Sequence, residues 1–378
     1  MGRPRAAHRT GATELVRARP DRAAGVMGAP LDSEVIEASI TSPARPGLLA
    51  FRSRLSDRVG EPVLQGLSLA CGLGAIGLIV WIAETVFSQA GPAISRYGVG
   101  FIGRTVWNPN AGAQGAYGAL DFIYGTLVTS LLSLLLVTPI AIAIAIYLTE
   151  LAPRLIRRPV AILVELLAAI PSVILGLWGI VILGPFLANH LEPLLRSLLG
   201  WLPLFAGPAS PYGILTATAI LTIMTLPIVT SIVREVFATT PTELREGAYA
   251  LGATRWEMIR MSVLPTARAG IVGAVMLGLG RALGEAIAVT QVIGNAAQIR
   301  ASLYQPGVTL AAQLANEYQS ATSNLDTASL MYLGAILLVI SLLVNLAARL
   351  IARGGPGARI LPVRLLTRGG QARGATVG

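Results

Sequence analysis

The chain has 378 residues, 54% hydrophobic and 13% charged, about half the charged share of an average soluble domain. All 29 basic residues are arginine, which excludes a P-loop, whose lysine holds the phosphates, and Schiff-base chemistry. The lone Cys71 excludes an intramolecular disulfide or multi-cysteine metal site, two histidines argue against a His-based one, and the net charge of +10 fits a nucleic-acid binder or a membrane protein with basic loops.

Residues 1–62 are rich in Arg, Pro, Gly and Ala and lack periodicity, so they read as a basic, disordered segment. They do not read as a cleavable signal peptide, because the apolar stretch begins too late. Met27 is a candidate start for the same reason. Residues 63–352 then read as one transmembrane domain with six runs long enough to span a bilayer. The spans are expected over Val63–Phe87, Phe122–Leu148, Val160–Leu187, Tyr212–Val233, Ala267–Ile293 and Ala328–Leu350. The alternation after Pro139 imitates a strand, but it lies inside a spanning-length block, where a helix satisfies the backbone. Pro139, Pro171 and Pro227 are expected to kink their helices. Residues 353–378 form a basic tail.

Arginine placement sets the expected orientation. Twenty-four arginines lie before the first span, after the second and fourth, and after the sixth. The opposite loops carry only Arg96, Arg104, Arg196 and Arg300. The positive-inside rule therefore puts both termini in the cytoplasm. Six spans and a nucleic-acid binder are incompatible, so that reading falls away. Between spans three and four, Leu191, Leu194, Leu195, Leu198 and Leu199 fall at helical spacing, with Trp201 beyond. This stretch is expected to lie at the membrane interface, packed on it or docking an external partner.

The cytoplasmic loop 239–265 is the most informative segment. Thr240, Pro241 and Glu243 spell one capping box, Thr254 and Glu257 a second, with Gly252 at the break between them. Two short helices joined by a kink are expected, a degree of order that suits docking to a soluble partner. Glu246, Gly247, Ala248 and Gly252, followed by Leu264 and Pro265, resemble the EAA loop of ABC-importer permeases. Gly247 stands for the family's first alanine and Ser262 for its isoleucine. In such permeases this loop is the coupling helix that inserts into the ATPase subunit.

Three more stretches are similar to the PstC-type permeases of phosphate-specific ABC importers. They are Gly278–Ala286, Ala169–Gly179, and Trp107-Asn-Pro109 with Phe122–Thr126. The resemblance covers roughly Val63 to Arg353. It implies an all-α integral membrane protein with the type I importer (MetI-like) permease fold. It also implies a PstA-like sister permease, an ATPase dimer holding the ATP and Mg, and an extracytoplasmic phosphate-binding protein. The chain itself would then hold no cofactor and carry out no covalent chemistry.

Arg281 and Glu285 stand out on physical grounds as well. An arginine in mid-span is costly and faces the protein interior or an aqueous path. With Glu285 four residues on, it is either a self-neutralising structural pair or a guanidinium fork offered to a passing oxyanion. One arginine does not choose among oxyanions, so phosphate, molybdate and sulfate stay open on the residues alone. Gly278-x-Gly280 is not a dinucleotide fingerprint, since no strand precedes it. Gly280 and Gly284, with Gly270 and Gly273, instead suggest close helix packing. Glu165 is expected to pair with a loop arginine. No cluster of His, Cys or paired carboxylates suggests an intramembrane enzyme.

Overall fold

A computed structural model describes residues 48–109 and 115–353, and side chains from 62 to 350 outside that gap. The sequence expectations for residues 1–47 and for the tail from 354 fall outside these residues. The chain divides into two units, Met1–Ala75 and Ile76–Gly378. In the first, residues 48–75 are helical, and every side chain from Pro62 to Ala75 is exposed. Leu64, Leu67, Leu69 and Leu73 are among them. A helix that is apolar and exposed all round is matched to lipid rather than water. Residues 48–62, expected to be unstructured, are thus helical: α1 runs Leu48–Tyr97.

The second unit holds the rest of the fold. Helix α2 is Leu120–Ile146, extended by a π-turn to Leu151. Helix α3 is Arg154–Ala169. A run of α and π turns over Ser172–Leu199 is taken together as α4. Helix α5 is Ile214–Ala238 and α6 is Thr242–Ala250. Helix α7 runs Arg255–Gly284 with a π-turn at Ile259–Val263. Helices α8, Ile287–Val292, α9, Leu310–Glu317, and α10, Asn324–Arg353, complete the chain. Among the described residues, six helices are long and apolar enough to cross a membrane. Among the described residues there is no strand, only an isolated bridge between Asn108 and Ala116.

Two expected spans are placed differently. The third is not Val160–Leu187 but Ser172–Leu199. Ile170 adopts an extended conformation (ψ 125°) before Pro171, as residues preceding proline favour, so Pro171 ends a helix rather than kinking one. The earlier half becomes α3, an amphipathic helix with no buried residue. The leucine-rich stretch from Leu191 to Leu199, expected as a separate interfacial segment, is the final part of α4. The fifth span ends at Gly284, where Glu285 turns extended (ψ 115°), and α8 follows as a separate short piece. Pro139 and Pro227 lie inside continuous helices.

Helices α2 and α5 pack along their lengths, and α7 lies against α5, α2 and α10. Two apolar clusters divide these helices. One joins Phe122, Ala217, Ile220 and Met224 to Val289, Val292 and Leu310. The other joins Val137, Ala141, Val229, Val233 and Phe237 to Met258, Ile259 and Val263 at the end carrying the 239–265 loop.

The opposite end is tied by polar contacts. Trp107 Nε1 donates to Glu317 Oε2 at 2.7 Å, and its ring lies edge-on to Tyr117 and Phe122. The Tyr117 hydroxyl donates to Asp326. The Tyr304 hydroxyl donates to the Glu192 carbonyl at 3.2 Å. Burial, then the neighbouring Glu192 carboxylate, raise the Tyr304 phenol above its ordinary pKa.

The Phe122–Thr126 motif has a physical role here. Thr126 Oγ1 accepts from the Leu310 amide at 2.8 Å while donating to the Phe122 carbonyl. A Cβ added at Gly125 would overlap the Val308 carbonyl oxygen. Only glycine lets the strap before α9 come this close. Gly125→Ala is therefore expected to destabilise the chain by about 1–3 kcal/mol, the usual cost of overpacking. Thermal unfolding of the detergent-purified protein measures it, and an unchanged midpoint would show that the strap yields freely.

Candidate functional site

The loop between α5 and α7 is built as two short helices with a fixed break. Helix α6 ends in a Schellman motif: the Ala253 amide donates to the Ala248 carbonyl at 3.1 Å and the Gly252 amide to the Tyr249 carbonyl at 2.9 Å. This closure requires a left-handed residue, and Gly252 has φ +82°. The next helix opens on the expected capping box. The Thr254 amide donates to Glu257 Oε2 at 2.8 Å, and the Glu257 amide donates to Thr254 Oγ1 at 3.4 Å.

The first expected box does not form. Pro241 occupies the cap position of α6, and no side chain caps there. Thr240 is buried instead, with its hydroxyl lacking a partner. The extended backbone of Pro241 (ψ 136°) starts the helix one residue later than the box requires.

The loop faces two ways. Met258, Ile259 and Val263 are buried in the apolar cluster of α2 and α5, with Leu264 packed against it. Pro265 is half-buried, whereas Glu246, Gly247 and Gly252 are exposed and Ala248 partly so. Around them stand apolar side chains without cover: Leu251 is 89% exposed, Trp256 60% and Leu244 47%. Apolar groups clustered on a polar loop mark an interaction surface.

Polar contacts fasten this loop to the bundle. Arg245 on α6 pairs with Glu150 after α2 at 2.9 Å and donates to the Phe237 carbonyl of α5 at 2.7 Å. Ser262 Oγ, at the position where the EAA pattern has isoleucine, donates to the Leu244 carbonyl at 3.3 Å. Glu165 of α3 pairs with an arginine, as expected, but with Arg234 inside α5 at 2.6 Å and not with a loop residue. The Arg245–Glu150 tie is absent from the sequence reading. A glutamate at the end of one span and an arginine in a distant loop carry no local signal of pairing.

Arg281 and Glu285 meet, but not as two residues on one helix face. Arg281 lies in the last turn of α7, and Glu285 follows the helix end in extended backbone. They are 3.8 Å apart, beyond hydrogen-bond reach, with side chains 41% and 11% exposed. Arg281 lines a groove of about 540 Å³ along α7, with Asn345 and Arg349 of α10 and Ile228 of α5. Helix packing by the glycines is only partly as expected. A Cβ at Gly270 would strike Val236 and one at Gly278 would strike Val229, whereas Gly273, Gly280 and Gly284 meet nothing within 4 Å. The face bearing Gly280, Arg281 and Gly284 is therefore open within this chain. Among the described residues no His, Cys, Asp and Glu group could hold a metal ion.

Comparison with known proteins supplies an independent finding. The family described as binding-protein-dependent transport system inner membrane component matches residues 137–354. The phosphate transport system permease protein PstC of Mesorhizobium japonicum is 45% identical over 293 residues, which cover 76% of this chain and 89% of that protein. PstC of Xylella fastidiosa is 46% identical over 262 residues, 68% of this chain and 80% of that protein. Among solved structures, a chain of a bacterial alginate ABC transporter, in complex with an alginate pentasaccharide-bound periplasmic protein, is similar with TM-score 0.53. It is 19% identical and covers 79% of this chain and 97% of that one, a likeness of fold alone.

Proposed function

The chain belongs to the binding-protein-dependent transport system inner membrane component family, and we propose that it is the permease subunit of an ATP-driven phosphate importer. The relatives' names support phosphate over molybdate or sulfate. The observation that carries the transport mechanism is the coupling loop: ordered, apolar on its exposed side, and fastened to the bundle.

In this reading both termini face the cytoplasm, and the loop docks on an ATPase subunit through Glu246, Gly247, Ala248 and Gly252, with Leu251 and Trp256 beside them. Leu264 and Pro265 anchor its inner side. The ATPase dimer holds the ATP and Mg, and this chain has no nucleotide site or cofactor of its own. A PstA-like sister permease completes the path, and an external phosphate-binding protein delivers the substrate.

Closure of the ATPase dimer moves α6. Two links carry that movement inward. Arg245 passes it to α2 through Glu150 and to α5 through the Phe237 carbonyl. Helix α7 starts in the loop at Arg255 and ends beside Arg281, a rod of about 40 Å at 1.5 Å per residue. Displacement of its loop end passes the π-turn at Ile259–Val263 and is then delivered to the anion-binding end along uninterrupted helix. Arg281 offers its planar fork to phosphate, with Glu285 orienting it at a distance that leaves the fork free.

Uptake of labelled phosphate by cells making the chain with its ATPase, sister permease and binding protein tests the substrate. Unlabelled phosphate is expected to suppress the signal, and equimolar sulfate or molybdate to leave it unchanged. Equal competition by either would overturn selectivity for phosphate and make the chain a general oxyanion permease.

A further inference from the structure

We propose that the cavity between α3, α5 and the end of α2 binds a phosphate-bearing anion, either the headgroup of an anionic phospholipid or free inorganic phosphate. The cavity measures about 630 Å³, within the range of small-molecule sites. Arg157, Arg158, Arg234 and Arg245 line it, together with Glu150 and Glu235.

The arginines are not equally committed. Arg245 is paired with Glu150 and Arg234 with Glu165. Arg157 donates to the Thr149 carbonyl at 2.8 Å, a neutral partner that fixes the side chain without cancelling its charge. Arg158 stands next to it, and Glu235 is an exposed carboxylate. Arg157 closes the first turn of the 16-residue α3 and Arg158 follows it, near the helix end whose dipole adds positive potential. An oxyanion bridging these guanidinium groups relieves their repulsion and gains bidentate, charge-assisted hydrogen bonds.

Helix α3 places the cavity at headgroup depth. It has no buried residue, and Leu155, Ile162, Leu163 and Leu166 are exposed beside its arginines. An amphipathic helix of this kind lies in the membrane interface. Basic pockets between spanning helices on the cytoplasmic side hold anionic headgroups. The site is separate from Arg281, and its occupant would sit against Arg245, the residue that fastens the coupling loop.

Native mass spectrometry of the detergent-purified full chain tests the lipid source, with phosphatidylglycerol or phosphatidylcholine of identical acyl chains as probe. Selective retention of phosphatidylglycerol is expected, falling about tenfold or more in Arg157→Gln/Arg158→Gln, since each surface arginine is worth about fivefold. Both residues are exposed, so these substitutions leave no cavity in the core. Arg157→Lys/Arg158→Lys keeps the charge and should keep most of the lipid.

Equilibrium dialysis of the lipid-depleted chain with labelled inorganic phosphate tests the other source, in an Arg281→Gln background that removes the proposed path residue. Saturable binding lost in the double glutamine variant assigns free phosphate. If neither probe distinguishes the arginine protein from the double glutamine variant, the proposal is overturned. Transport plays no part in either readout, so failure here is distinct from failure of the permease reading.

Discussion

Arg281→Gln is expected to lower phosphate uptake by about 100-fold or more while the chain still reaches the membrane and assembles. The size follows from hydrogen bonds to a charged group, about 1.5–3 kcal/mol each, two of which a guanidinium fork donates. Assembly survives because Arg281 makes no short contact that the fold depends on: its only described ion pair is the 3.8 Å approach to Glu285, and its side chain is 41% exposed. A structural pair behaves oppositely. There, removal of Arg281 strands the Glu285 carboxylate, 11% exposed, and damages the fold before it damages transport. Uptake by cells, read alongside the amount of chain in the membrane, separates the two. Near-normal uptake would remove Arg281 from the path, and loss of the protein itself would assign it a structural role. Arg281→Lys keeps the charge without the planar fork and is expected to fall between.

Gly252→Arg is expected to abolish co-purification with the ATPase while leaving the chain folded. Gly252 has φ +82°, so any side chain there costs about 1–2 kcal/mol in backbone strain. That strain alone does not unfold a helical bundle, since no atom lies within 4 Å of an added Cβ. What the arginine changes is the surface. It projects a charge between Leu251 and Trp256, 89% and 60% exposed, where an apolar contact with the partner is proposed. Disrupting the centre of such a contact typically costs 2 kcal/mol or more. Gly252→Ala carries the strain without the charge and is expected to keep most of the ATPase. If the arginine and alanine variants lose the partner equally, loop conformation decides docking. If both retain it, the loop is not the dock.

These two sites were legible to different degrees. The loop was legible because capping and helix-ending signals are local: Thr254 and Glu257 lie three residues apart, and Gly252 supplies the left-handed turn within the same few residues. Even there, Pro241 displaced Thr240 from the cap it was expected to form. Arg281 was legible as a charge in an apolar run, but its geometry was not. Hydropathy runs smoothly through Glu285 to Ile293, while the backbone breaks at Glu285. The same smoothing carried the third span across Pro171 into what is α3.

The sequence by itself determined the class of protein, its six membrane-length helices, the excess of arginine on one set of loops and the order of the 239–265 loop. Each depends on composition or on residues a few positions apart, and lipid forces an apolar segment of that length to be helical. Only the tertiary structure decided where helices end inside apolar runs and which glycines are packed. It alone paired Arg245 with Glu150 and gathered Arg157 and Arg158 with Arg234 around one cavity. Those choices depend on which helices lie side by side, and an ion pair joining distant residues leaves no periodicity along the chain.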